Sequence, residues 1–168
     1  MALNVEIERK FLVLGKPNQK PDQIHQIRQG YIARENGNTV RIREKNAQFI
    51  LCIKTQRSTG GRHELECEVN KQEGEMLFAS IAHAPVVKTR EVYKIDELIW
   101  EVDIFEGANK GLMIAEVELS SADQKINLPE WIGPEVTGLS KYYNANIANM
   151  PFDQWRIGYE ALIERMSD

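Results

Sequence analysis

Seven segments of this chain alternate polar and apolar residues with a period of two, and on six of them the polar positions carry charges of a single sign. The segments are 5–11, 39–43, 49–55, 63–69, 86–92, 99–104 and 114–119, with the shorter Gln29-Gly30-Tyr31-Ile32 as an eighth. Residues i and i+2 of a strand point to the same face, so this pattern reads as half-buried β-strands. Between them stand turn signals at Glu35-Asn36-Gly37-Asn38, Ser58-Thr59-Gly60-Gly61 and Glu106-Gly107-Ala108-Asn109. Eight strands joined mostly by short turns make an antiparallel meander, open or closed. Helices are fewer. Met76, Leu77, Phe78 and Ile81 predict one over 71–83, stopped before Pro85. Phe152, Trp155, Tyr159, Leu162, Ile163 and Met166 trace an apolar stripe that predicts an amphipathic helix over about 152–166, covering a barrel end or outer wall. The expectation is an α+β, mainly β chain forming a single domain over residues 1–168.

The charges sort strand by strand. Glu6 and Glu8 share a face, as do Arg41 and Arg43; Glu64, Glu66 and Glu68; Lys88 and Arg90; Glu101 and Asp103; and Glu116 and Glu118. Like charges at i and i+2 lie about 7 Å apart and repel by roughly 0.6 kcal/mol in bulk water, and by several-fold more on a partly enclosed face. A solvated face would interleave signs and neutral polar groups. If the sheet closes, one cavity receives nine carboxylates, Glu6, Glu8, Glu64, Glu66, Glu68, Glu101, Asp103, Glu116 and Glu118, and seven cations, Lys10, Arg41, Arg43, Lys54, Arg62, Lys88 and Arg90. Charges so concentrated need pairing or a ligand. Acid pairs suit a hard divalent cation with oxygen ligands, Mg²⁺ or Mn²⁺. Arg and Lys pairs suit an oxyanion, and bidentate arginine fits phosphate. A metal-bound chain of phosphates satisfies both.

Composition narrows the alternatives. With 21 basic against 25 acidic residues the net charge is −4, without the basic excess of a nucleic-acid binder. A 42% hydrophobic and 27% charged composition argues against a disordered chain. No P-loop pattern occurs, and Gly60-Gly61 before Arg62 reads as a hairpin turn. Cys52 and Cys67 have no metal or redox spacing and are expected to be reduced packing thiols; His25, His63 and His83 form no catalytic grouping. The first residues show no signal-peptide pattern, and the apolar run 49–53 is far short of the roughly 20 residues that span a bilayer. A cytoplasmic protein without membrane or nucleic-acid partners is expected, as monomer or homodimer.

Glu6-Ile7-Glu8-Arg9-Lys10 resembles the Glu-x-Glu-x-Lys signature that opens the CYTH, or triphosphate tunnel metalloenzyme, superfamily. The similarity continues in order through Arg28 to Ile32, Val40 to Arg43, Ile53-Lys54-Thr55, Arg62 to Glu66, Val87 to Arg90, Glu101 to Phe105 and Ile114 to Leu119. It closes on Val136-Thr137-Gly138 and Lys141-Tyr142-Tyr143-Asn144, as in the small bacterial, inorganic triphosphatase-like branch. The resemblance implies an eight-stranded antiparallel closed β-barrel, a tunnel with flanking helices, acting on triphosphates with Mg²⁺ or Mn²⁺. It implies metal ligands among Glu6, Glu8, Glu64, Asp103, Glu116 and Glu118. Phosphate oxygens fall to Lys10, Arg41, Arg43, Lys54, Arg62, Lys88 and Arg90, and catalysis to Lys10, Tyr31, Lys54 and Glu66. The activity it implies first is hydrolysis of inorganic tripolyphosphate to pyrophosphate and phosphate, with weaker action on nucleoside triphosphates. The alternatives are a class IV adenylate cyclase, a thiamine triphosphatase and a non-catalytic polyphosphate-binding module.

Overall fold

The computed structural model describes residues 7–55, 63–121 and 123–167. Among them the chain forms, in order, β1 (Ile7–Val13), β2 (Gln23–Glu35), β3 (Asn38–Lys45), β4 (Gln48–Lys54), β5 (Glu64–Val69), α1 (Lys71–Phe78), β6 (Val86–Ile95), β7 (Leu98–Phe105), β8 (Met113–Leu119), β9 (Ile132–Glu135), α2 (Asn144–Asn149) and α3 (Tyr159–Ser167). The mainly β, antiparallel character expected from period two is present, with nine strands in place of eight. No helix among the described residues is long and apolar enough to cross a membrane. Two compact units divide the chain: residues 26–87, and residues 6–25 with 88–168.

In the first unit the strands lie in the order β5-β4-β3-β2, each antiparallel to its neighbour. The β2–β3 hairpin turns on Asn36 and Gly37 at φ +49° and +78°, the left-handed conformations that an Asn-Gly pair adopts readily and that match strand twist. One sheet face buries Ile42 and Phe49 against Phe78 of α1, with Leu77 and Ile81 packed alongside. A capping box opens α1: the Asn70 side chain accepts from the Glu73 N–H, and Glu73 accepts from the Asn70 N–H. The helix expected over 71–83 ends at Phe78. Beyond it Ile81 is placed over Gly30 of β2, where even a Cβ would come within 2.7 Å of the isoleucine side chain, so packing on the sheet outweighs continued helix.

The second unit orders its strands β6-β7-β8-β1-β9. Its apolar face is a core of Phe11, Val13, Tyr93, Trp100, Val102, Ala115, Val117, Leu119 and Ile132. Trp131 stacks edge-on against Trp100 at 5.7 Å. The four-residue β9 had no counterpart in the alternation pattern; it contains Pro134, which lacks an N–H and is tolerated at a sheet edge. The apolar stripe at 152–166 docks as expected but is not one helix. A 3-10 turn at Phe152–Gln154 is separated from α3 by Arg156 at φ +56°. The break lets Phe152 and Trp155 stack edge-on at 5.2 Å and lets the Tyr159 hydroxyl reach the backbone of Val13 and Met113. Of the two free cysteines Cys52 is buried, whereas Cys67 is exposed on β5 and is not a packing thiol.

Candidate active site

Each unit turns one sheet face to its apolar core and sorts charge onto the other. In the first unit, register places Tyr31, Arg41, Cys52 and Glu66 in one row across the four strands. A second row holds Gln29, Arg43, Ile50 and Glu68, and Lys54 stands opposite Glu64. The register shift after Tyr31 leaves one extra residue, Ile32, on β2, a bulge that ends strict alternation beside the tyrosine. Lys54 Nζ lies 3.0 Å from Glu64, and Arg43 Nη2 lies 3.4 Å from Glu66. Arg41 is less satisfied. Its Nη2 comes no closer than 4.0 Å to Glu66, and its Nε and Nη2 are buried with no hydrogen-bond partner among the described residues. A guanidinium held in this way is poised for an oxyanion.

Two neutral groups border these charges. Burial raises the Tyr31 hydroxyl above its ordinary pKa despite the opposing pull of Arg41, so it remains protonated and donates. Burial and then the Glu64 hydrogen bond push the Cys52 thiol up to about 11, and it donates to Glu64 at 2.9 Å. Cys52, Glu64 and Glu66 bring one ligand atom each within 4.8 Å of one another.

The second unit builds its charged face on β6, β7, β8 and β1. Arg90 stands opposite Asp103, Glu101 opposite Glu116, Lys10 opposite Glu116, and Glu8 opposite Glu118. Lys10 Nζ bridges Glu8 at 3.0 Å and Glu116 at 2.5 Å. Arg90 grips Asp103 with two parallel bonds of 2.6 and 2.8 Å, pairs with Glu101 and reaches Glu116 at 3.1 Å. Lys88 closes on the other side of Asp103, and both side chains are 1% exposed. Burial alone would favour a neutral Asp103, yet Arg90 and Lys88 hold it below the usual carboxylate range. Glu116 is drawn below its ordinary pKa, burial being outweighed chiefly by Lys10.

This face carries five carboxylates, Glu8, Glu101, Asp103, Glu116 and Glu118, against three cations, Lys10, Lys88 and Arg90. The exposed Glu8 and Glu118 oppose each other directly across β1 and β8, and Glu118 has no ion-pair partner among the described residues. Facing carboxylates repel unless a cation lies between them, so Glu8 and Glu118 are oxygen donors of the kind that suits a hard divalent metal. Asp103 and Glu116 each have both oxygens committed, Asp103 to Lys88 and Arg90 and Glu116 to Lys10 and Arg90.

The residues singled out from sequence thus assemble into two groups: Tyr31, Arg41, Arg43, Lys54, Glu64 and Glu66 in one unit, and Glu8, Lys10, Lys88, Arg90, Asp103, Glu116 and Glu118 in the other. Glu6 and Arg62, and the turn at Ser58 to Gly61, lie outside the described residues. Two participants were missed. Cys52 shares a strand face with Lys54, so period two held the signal. Asn144, whose side-chain oxygen accepts from Lys88 Nζ at 3.2 Å, comes from helical sequence and had no such signal.

Comparison with known proteins places this geometry. The CYTH domain family matches residues 4–146. The inorganic triphosphatase of Acetivibrio thermocellus is 35% identical over 152 residues, covering 90% of this chain and 97% of that protein. That of Nitrosomonas europaea is 35% identical over 151 residues, covering 85% and 96%. A crystal structure described as an inorganic triphosphatase superposes with a TM-score of 0.67 at 32% identity, covering 85% of this chain and 93% of that one.

Proposed function

The chain belongs to the CYTH family, and from that premise we propose that it hydrolyses inorganic tripolyphosphate to pyrophosphate and phosphate. The observation that carries the reading is the buried guanidinium of Arg41, short of hydrogen-bond acceptors on a face it shares with Arg43 and Lys54. It calls for an anion, and the acid excess beside Lys10 and Arg90 calls for a cation. Triphosphate with a divalent metal supplies both. Two 35% identical relatives carry the name inorganic triphosphatase, which supports the substrate class.

In this reading Arg41, Arg43 and Lys54, with Lys10 and Arg90, hold the phosphate oxygens and disperse charge as the transition state develops. Lys88 adds positive charge from behind Asp103. Glu8, Glu116 and Glu118 would hold Mg²⁺ or Mn²⁺, Glu116 by giving up a contact to Lys10 or Arg90, with Glu6 and Arg62 proposed to join the acids and the cations respectively. The metal's contribution when bound is to neutralise charge on the phosphate oxygens. Water attacks the terminal phosphorus, the bond to the bridging oxygen breaks, and pyrophosphate leaves with the electron pair. The water proton passes to a carboxylate, a role we assign to Glu66, 46% exposed and 3.4 Å from Arg43. Tyr31, held protonated, donates a hydrogen bond. A closed tunnel in a single domain is part of the same proposal, supported by family membership and by the sorting of charge onto one face of the strands in each unit.

The test is phosphate release from tripolyphosphate, ATP and thiamine triphosphate, each with Mg²⁺ and with Mn²⁺. Tripolyphosphate should be turned over fastest. Cyclic AMP with pyrophosphate from ATP, or no phosphate from tripolyphosphate with either metal, would overturn the proposal.

A further inference from the structure

Lys88 is a buried cation whose charge is of use to a polyanionic substrate only if its own surroundings do not cancel it. Its ammonium has two acceptors among the described residues, a carboxylate oxygen of Asp103 and the side-chain oxygen of Asn144, the second at 3.2 Å. An ammonium only donates, so the asparagine must present its oxygen there and not its NH₂. Asp103 is shared, with Arg90 gripping it at 2.6 and 2.8 Å. Two cations therefore share one buried carboxylate, Arg90 pairing also with Glu101 and Glu116, and the second acceptor of Lys88 is neutral. An aspartate has the reach of an asparagine but would bring a further negative charge to the ammonium.

Asn144 sits on a rigid mount. On either side of it Tyr142 is 4% and Ile147 0% exposed, and the Tyr142 ring packs edge-on against Trp155 at 5.5 Å. The Asn146 side chain ties back to the Ser140 carbonyl at 2.6 Å. The segment that sets Asn144 is thus held by its own core contacts, and the amide is delivered to the charged face from outside the sheet.

We propose that Asn144 is a positioning residue that holds the Lys88 ammonium beside Asp103 through a neutral acceptor, so that no further negative charge stands beside Lys88 on a face that must receive the triphosphate. This rests on the reading of the Lys88 and Arg90 face as phosphate-binding. The test measures initial rates against tripolyphosphate concentration, melting temperature, and the melting shift induced by inorganic tripolyphosphate, for N144D, N144A, K88M and K88M/N144A. N144D should raise KM about tenfold with kcat within about threefold, since it adds one unit of negative charge near the bound phosphates. Its melting temperature should hold or rise, because the new carboxylate pairs with a buried ammonium. N144A should raise KM in the wild-type background and not in K88M. If K88M raises KM while N144D and N144A keep the wild-type value, the assignment of Asn144 is wrong and the phosphate reading stands. If the asparagine variants change only the melting temperature, Asn144 is structural and the proposal is overturned. If K88M itself leaves KM unchanged, the phosphate reading of Lys88 fails and the inference falls with it.

Discussion

Replacing Asp103 by asparagine keeps the shape of the side chain and removes the one charge that Lys88 and Arg90 share. Asp103 and Lys88 are each 1% exposed, so the variant leaves an ammonium with no carboxylate in a site that water does not reach. Breaking a buried pair from one side costs about 3–5 kcal/mol. For a chain of this length each kcal/mol is worth about 2–4 °C, so the melting temperature should fall by roughly 6–20 °C. Urea unfolding followed by tryptophan fluorescence reads the effect where it acts, because Trp100, Trp131 and Trp155 all belong to the second unit. The sign with pH follows from the depressed pKa of Asp103. Its contribution is complete above the unfolded carboxylate value of about 3.9 and is lost as the pH falls from there toward the native value. The gap between wild type and D103N should therefore be constant from neutrality down to about pH 4 and narrow below it. A gap under about 1 kcal/mol at pH 7, the range of an exposed pair, would refute the reasoning, as would a gap that does not narrow in acid.

Other expectations separate binding from folding. Glu118→Gln should reduce phosphate release from tripolyphosphate at least about 100-fold while shifting stability by no more than about 0.5 kcal/mol, since Glu118 is exposed and unpaired among the described residues. Arg41→Met should raise KM about tenfold or more and yet leave the melting temperature unchanged or higher, because two of the three lost guanidinium nitrogens, Nε and Nη2, are buried without hydrogen-bond partners among the described residues. Tyr159→Phe should lower stability by about 1–3 kcal/mol in a urea titration, since its hydroxyl accepts from the Val13 N–H at 2.8 Å and lies 2.8 Å from the Met113 carbonyl. Chelation with EDTA should abolish turnover, and adding back Mg²⁺ or Mn²⁺ should restore it.

The parts of the fold legible in the sequence were those written in local periodicity. Arg41-Ile42-Arg43 announces both its strand and its two faces, and the structure buries Ile42 completely on the face opposite its two flanking arginines. Alternation says nothing where a strand is short or irregular. Ile132-Gly133-Pro134-Glu135 carries two residues unfavourable to strands, and it pairs only because the edge beside Phe11 and Val13 accepts it. At the C-terminus the stripe identified the side chains that dock but not the chain path, since Arg156 at φ +56° serves the packing of Trp155 and Tyr159, not helix propensity. The same limit holds in the site. Carboxylate pairs were legible from spacing, whereas the partner of Lys88 on α2 lies 56 residues away, a distance that only tertiary structure bridges.

Burial divides the ion pairs of the two charged faces into those that stay and those that exchange. Lys88 and Asp103 are sealed and cannot trade partners without leaving a charge in the interior. Lys10 is 8% exposed but its partner Glu8 is 45% exposed, and Arg43 at 22% pairs with Glu66 at 46%. Pairs open to this degree are worth about 0–1 kcal/mol. A phosphate oxygen arriving at Arg43, or a divalent cation arriving at Glu8, therefore displaces a contact that stabilises the empty protein very little. The strong pairs hold the geometry of Arg90 and Lys88 in place, and the weak ones keep the remaining charges compensated until the ligand replaces them. In the proposed function the polyanion is thus bound largely by exchange, with Arg41, whose Nε and Nη2 have no partner among the described residues, as the exception.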